Sequence, residues 1–200
     1  KHIPRSALEE AVREVLVTKH VALIENNKAF HKYITDGITV SYKGKDGQIK
    51  HEQAFLFDFE NVNRNNFLAV NQFVVVENRV KKIPDIVIFV NGLPLVVFEL
   101  KTVSNEEVSI TDAFYQIKTY QNTISNLFVY NAFNVISDGV NTKAGTLTSN
   151  EERFMSWRTR DGSGVEPNYR PSLEVLLKGM FEKERLLVIF KQFILFQVDG

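Results

Sequence analysis

The sequence has 200 residues, 44% hydrophobic and 24% charged, enough for one globular domain with a sizeable core. Its 24 Lys+Arg balance 24 Asp+Glu, so it is no general polyanion sponge, and any nucleic-acid contact must come from a local patch or from partners. The absence of Cys excludes disulfides and thiolate metal sites and suits a cytoplasmic protein; no signal peptide is visible, and no apolar run approaches the ~20 residues that span a bilayer.

In chain order, Ser6 to about Thr18 reads as an amphipathic helix, with Ser6 as cap, Glu9 at the capping-box offset and Leu8, Val12, Val15 and Leu16 as its apolar stripe. A second helical pattern runs from Val21 to Tyr33 and closes near Asp36-Gly37. Ile38 to Tyr42 alternates as a strand, and Lys45-Asp46-Gly47 reads as a hairpin turn. Phe55 to Asn66 is polar and Asn-rich, a loop or short helix. Phe67 to Glu77 reads as one long strand, and Asn78-Arg79 to Lys82 as a basic turn. Asp85 to Val90 and Leu95 to Leu100 are strands joined through the hairpin turn Asn91-Gly92.

Thr111 to Thr123 is helical, capped by Thr111 or Ser109. Phe133 to Ser137 is a strand followed by an Asp138-Gly139 turn, and Gly145 to Thr148 a further short strand. Arg158 to Tyr169 reads as a loop. Ser172 to Met180 and Lys183 to Phe190 are helical, with Gly179 interrupting the apolar stretch. The chain starts without Met and stops at Val198-Asp199-Gly200, just after an apolar run, which reads as a piece of something larger. Strands clustered between flanking helices predict an α/β or α+β layer fold around one mixed sheet.

The chemistry concentrates at Pro84-Asp85-Ile86 and Phe98-Glu99-Leu100-Lys101. Alternation along a strand points Glu99 and Lys101, with Val97, to one face, and Phe98 and Leu100 to the other. The hairpin brings Asp85 beside the strand of Glu99. Two converging carboxylates are stable together only if one is protonated or a cation lies between them. Oxygen ligation suits Mg²⁺ or Mn²⁺, with the backbone carbonyl of Leu100 as a natural third ligand. An ammonium at Lys101 then stabilises developing phosphorane charge or orients the attacking water. A strand-edge Asp with a Glu–Lys pair is also what an ordinary solvated sheet face carries. The runs Ile86–Val90 and Leu95–Phe98, apolar on both faces, favour the functional reading because they bury the charges that end them.

Gln116 and Tyr120, four apart on one helix face, are expected to overlook the strand ends while Ala113, Ile117 and Ile124 pack on the sheet. Glu9 has two readings, as an acid backing the site and as a capping-box partner. The histidines at 2, 20, 31 and 51 show no metal-binding spacing. No phosphate-binding Gly-rich loop, dinucleotide fingerprint or nucleophile elbow is present. The turn of Arg79, Lys81 and Lys82 and the loop of Arg158, Arg160 and Arg170 are candidates for phosphate contact, and equally for solvating a turn.

The segment IPDIVIFVNGLPLVVFELK followed by AFYQIKTY resembles the N-terminal nuclease domain of the restriction (motor) subunit of type I restriction-modification enzymes. The likeness extends to ALEEAVREVL, GITVSY, NNFLAVNQFVV, VISDGVNT and LLKGMFEKERLLVIFKQFILF, and so to nearly the whole chain. The resemblance implies a PD-(D/E)xK restriction-endonuclease-like fold, a central mixed sheet flanked by helices, and Mg²⁺-dependent cleavage of double-stranded DNA. It implies Asp85 and Glu99 as metal ligands, Lys101 as the catalytic ammonium, Gln116 and Tyr120 as an accessory pair and Glu9 as a helix-borne acid. It divides the chain into a nuclease domain, 1–170, and a helical segment, 171–200, leading toward a translocase absent from these residues. Methylation and specificity subunits are the implied partners, with ATP and S-adenosylmethionine belonging to the remainder of the assembly. Two alternatives stand beside it: a related repair- or defence-type nuclease of the same superfamily, and a catalytically silent DNA-binding or docking domain on the same fold.

Overall fold

The computed structural model describes residues 3–102 and 109–197. The terminal Val198-Asp199-Gly200 lies outside them. Six α-helices and nine strands are described: α1 (Arg5–Leu16), α2 (Leu23–Asp36), β1 (Ile38–Lys43), β2 (Ile49–Ala54), β3 (Phe67–Asn71), β4 (Val75–Glu77), β5 (Val80–Lys82), β6 (Ile86–Val90), β7 (Leu93–Leu100), α3 (Ile110–Thr123), α4 (Ser125–Phe128), β8 (Phe133–Ser137), β9 (Thr142–Gly145), α5 (Ser172–Met180) and α6 (Lys183–Val188).

The central sheet has the order β3-β6-β7-β8-β9. Only β7 and β8 run parallel; the other neighbours are antiparallel. The crossover between the parallel pair contains α3 and α4, as a parallel connection requires. β1 pairs with β2, and β4 with β5, as separate two-stranded hairpins.

Strands β6 and β7 are apolar on both faces because both faces are covered. Val96, Phe98, Phe133 and Val135 pack with Leu176, Leu187 and Phe190 of the C-terminal helices and with Phe30 and Ile34 of α2. Val87, Val97 and Ile136 pack on the other side with Ala113, Ile117 and Tyr120 of α3. The result is an α/β layered architecture of the restriction-endonuclease-like kind. No helix among the described residues is long and apolar enough to cross a membrane.

Several sequence expectations shift. Helix α1 starts at Arg5 with Pro4 at its cap position, so Ser6 and Glu9 form no capping box. Its buried face is Ala7, Ala11 and Val15, whereas Leu8, Val12 and Leu16 are exposed. The close approach of α1 to β1 selects the small residues over the large stripe. Helix α2 starts at Leu23 and ends where Gly37 takes a φ of 75°.

The expected strand Phe67–Glu77 breaks at Gln72, whose φ of 51° turns the chain out of the sheet. The expected basic turn condenses to Asn78-Arg79, with φ of 48° and 67°, and Val80–Lys82 becomes a strand instead. The last strand is Thr142–Gly145 rather than Gly145–Thr148. Gly179 does not interrupt α5: a Cβ there would collide with the Thr159 carbonyl and the Trp157 ring, so glycine permits close packing of the 158–170 loop.

Candidate active site

Asp85 immediately precedes β6, and Glu99 is the penultimate residue of β7. Their juxtaposition depends on a bulge. The two-residue turn Asn91-Gly92, with φ of 51° and 83°, is of the type that suits right-twisted hairpins. From it Val90 pairs with Leu93 and Phe89 with Pro94. Simple continuation would set Asp85 opposite Phe98, whose side chain belongs to the other layer.

Leu95 is instead an extra residue: the pairing resumes at Ile88–Val96 and ends at Ile86–Phe98. That one-residue advance brings Asp85 opposite Glu99 and onto the same face. It is the α3 face, shared with Val87 and Val97.

Each charged group is held. One Asp85 carboxylate oxygen accepts from the Leu100 backbone N–H at 2.8 Å, the other from Gln72 Nε2 at 3.1 Å. The Gln72 N–H also donates to the Asp85 carbonyl at 2.8 Å. The N–H and C=O of one strand residue point to the same side, so the Leu100 carbonyl is directed toward Asp85. The Lys101 N–H donates the other way, to Ser137 at 2.7 Å. Lys101 Nζ donates to Glu99 Oε1 at 2.7 Å.

Glu99 is 4% exposed, and its buried Oε2 has no hydrogen-bond partner among the described residues. Burial pushes its carboxyl above the ordinary range. Lys101 opposes that shift, while the neighbouring charge of Asp85 reinforces it. An orphaned buried carboxylate oxygen beside a second carboxylate is a donor set that fits a hard divalent cation. Among the described residues no third His, Asp or Glu joins the pair.

Helix α3 closes the site from above. Its capping box uses Ser109 and Asp112, whose carboxylate accepts from the Ser109 N–H at 2.7 Å. That bond, aided by the positive charge of Lys101, holds the Asp112 carboxyl below its usual range. Ala113, Ile117 and Ile124 are fully buried against the sheet.

Gln116 is half-buried and Tyr120 buried. The Tyr120 ring belongs to the core cluster, and its hydroxyl lies 3.4 Å from the Ile83 carbonyl. Burial raises the Tyr120 hydroxyl well above its ordinary pKa, and the charge of Glu99 adds to it, while Gln116 acts in the opposite direction. The structure thus gathers Asp85, Glu99, Lys101, the Leu100 backbone, Gln116 and Tyr120.

It does not gather Glu9. That carboxylate is exposed, pairs with Arg5 at 2.9 Å, and rides on a helix that packs mainly on β1. Arg160 and Arg170 both pair through Nε with Glu166, at 2.5 and 2.8 Å. His31 is buried and its pKa lowered by that burial; its Nε2 lies 3.0 Å from the Asn131 carbonyl. Gln72 is the site neighbour that sequence reasoning missed, because nothing in its local sequence signals a left-handed residue.

The family profile described as "Type I restriction enzyme R protein N terminus" matches residues 2–153 of this chain. The chain belongs to the type I restriction enzyme R protein N-terminal family. It is 38% identical over 201 residues to the type I restriction enzyme HindI endonuclease subunit of Haemophilus influenzae, an alignment covering 99% of this chain and 19% of that protein. It is 35% identical over 204 residues to the putative type I restriction enzyme MjaIXP endonuclease subunit of Methanocaldococcus jannaschii, covering 90% of this chain and again 19% of the relative. The type I restriction enzyme EcoprrI endonuclease subunit of Escherichia coli is 31% identical over 160 residues, covering 76% and 48%. The chain therefore spans about a fifth of the length of the first two relatives. Asp85, Glu99, Lys101, Gln116 and Tyr120 all fall within the stretch that the family profile matches.

Proposed function

We propose that this chain is the DNA-cutting domain of a type I restriction enzyme, a metal-dependent endodeoxyribonuclease that hydrolyses phosphodiester bonds. The observation that carries the reading is Glu99: a carboxylate 4% exposed, with one oxygen unpartnered among the described residues, facing Asp85 across a bulged hairpin. A fold left with that arrangement and nothing to bind would bear a standing electrostatic cost.

Asp85, Glu99 and the Leu100 carbonyl would hold Mg²⁺ or Mn²⁺. Such an ion, when bound, polarises a phosphoryl oxygen and acidifies a water. The chain's own residues do the rest. Asp85 is oriented by Gln72 and the Leu100 N–H, so it presents a fixed carboxylate. Lys101 sits with its ammonium on Glu99 and moves onto charge that develops on the scissile phosphate. Tyr120 stays protonated at neutral pH, so its hydroxyl serves as a donor and not as a base. Gln116 lies one turn before it on the same helix face.

The nuclease chemistry belongs to residues 1–170. The segment 171–200 leads toward a translocase region that uses ATP. Methylation and specificity subunits are the proposed partners, double-stranded DNA the substrate and the cytoplasm the compartment. Sequence choice is assigned to those partners.

Cleavage of supercoiled plasmid in Mg²⁺ tests the reading. The chain, alone or in its full polypeptide and complex, is expected to cut, and Asp85→Asn and Lys101→Ala to abolish cutting while melting like the parent. Wild-type rates in both variants would refute it and leave the silent docking reading.

A further inference from the structure

The segment 73–84 is an excursion from the central sheet. β3 and β6 pair directly through Asn71 and Ile86, and the last bond between them joins the Gln72 N–H to the Asp85 carbonyl. Everything between those residues projects as the β4–β5 hairpin, so the hairpin is rooted on the candidate metal ligand itself.

The hairpin is fastened on the α3 side. Phe73 packs edge-on against Phe89 with ring centroids 5.2 Å apart, and Val75 joins the α3-side core. The Glu77 carboxylate accepts from Ser125 Oγ and from the Asn126 N–H, both at 3.0 Å. That commits the hairpin's only acid to α4. Its turn, Asn78-Arg79, is a two-residue turn with both residues left-handed. An arginine at φ 67° occupies a conformation that costs a non-glycine residue about 1 kcal/mol or more. The two-residue hairpin turn itself requires a positive φ at both positions.

Three cations decorate this anchored hairpin: Arg79 and Lys81 exposed, Lys82 half-buried. None of them forms an ion pair among the described residues, in contrast to Arg160 and Arg170. Lys82, Lys81 and Arg79 precede Asp85 by three, four and six residues, which puts them at most about 11, 14 and 22 Å away along the chain. Spacing of about 3.4 Å per phosphate along one strand makes that reach several nucleotides. A polyanion approaching Asp85 and Glu99 is repelled by both carboxylates; Lys101 is already paired with Glu99, whereas the cations of this hairpin, which is rooted on Asp85, form no ion pair among the described residues.

We infer that the β4–β5 hairpin is a phosphate-gripping element that lays the backbone of duplex DNA across the site, with Arg79, Lys81 and Lys82 as its contacts. The inference rests on the proposed nuclease reading and identifies where the substrate's flank is held. The contacts are to phosphate and carry no sequence preference.

The test is duplex binding by the chain in metal-free buffer, followed by fluorescence anisotropy over a range of salt concentrations. R79Q, K81Q and K82Q are each expected to flatten the plot of log affinity against log salt by about 0.9, and the triple variant by about 2.7. Lys45→Gln, an exposed lysine in the turn of the separate β1–β2 hairpin, serves as the control that keeps the wild-type slope. A triple variant that melts at the wild-type temperature and keeps the wild-type slope overturns the inference, as does an intact chain that binds no duplex. Plasmid cleavage run in parallel separates the two claims. A flattened slope with no Asp85-dependent cutting sinks the nuclease reading alone; Asp85-dependent cutting with an unchanged slope sinks the hairpin alone.

Discussion

Glu99→Gln is expected to make the metal-free protein more stable while removing its activity. The substitution keeps the shape of the side chain and an oxygen for Lys101 Nζ, now 2.7 Å from Glu99 Oε1. It removes a charge whose burial, despite that ion pair, leaves the carboxyl above its ordinary pKa. The sign follows from linkage. A carboxyl with a raised folded pKa binds more protons folded than unfolded, so stability falls as pH rises from the ordinary carboxylate value through the raised one. Above that window the wild-type fold holds a buried charge that the amide lacks.

Opposing this, the amide gives up the charge-assisted part of the Lys101 bond, a contribution that remains partly solvent-screened because Lys101 is half-buried. Relief of such functional-site frustration typically gives about 0.5–2 kcal/mol. Taking about 1 kcal/mol, Tm should rise by about 2–4 °C for a chain of this size at neutral pH. The gain should vanish below the ordinary carboxylate pKa, where Glu99 is protonated in both states. Paired thermal melts of the two proteins across the acid-to-neutral range, in chelator, measure the difference directly, since all other carboxyls are common to both. A Glu99→Gln protein less stable than wild type at neutral pH would refute the reasoning and mark Glu99 as half of a structural ion pair.

Tyr120→Ala should cost about 3–5 kcal/mol, because the ring is part of the buried α3 face, whereas Tyr120→Phe should fold normally and cut slowly; equal cleavage by the Phe variant and wild type would remove the hydroxyl from the chemistry. Gln72→Gly should leave the melting temperature about unchanged, since relief of a left-handed residue, about 1–2 kcal/mol, offsets the entropy of glycine. It should still slow cleavage by freeing Asp85, and wild-type cleavage in that variant would show that Asp85 needs no such support.

How much of this was legible in the sequence varies by residue. The α3 face was, because Ala113, Ile117 and Ile124 repeat at helical spacing and all three are fully buried. So was the burial of Glu99, since apolar runs on both faces of β6 and β7 require cover on both. The bulge at Leu95 was not. The residues Pro94 and Leu95 fit a straight hairpin as well as a bulged one, and only the packing of both layers selects the register that aligns Asp85 with Glu99.

Gln72 was hidden for a similar reason: Phe67–Glu77 reads as one long strand, and the break is imposed by the return of the chain to Asp85. In α1 the apolar periodicity was real but pointed to the wrong stripe, because the distance to β1 admits Ala7 and Ala11 and excludes Leu8 and Val12. The partnering of Arg160 and Arg170 by Glu166 is a loop contact with no periodic signature.

In the proposed mechanism Asp85 and Glu99 together hold one divalent ion. Calorimetric titration of Mn²⁺ into the purified chain tests this most directly. Saturable heat is predicted for wild type, lost in Asp85→Ala and in Glu99→Gln, with both variants folded. Equal saturable heat from all three proteins, or none from wild type in the presence of duplex DNA, would contradict it.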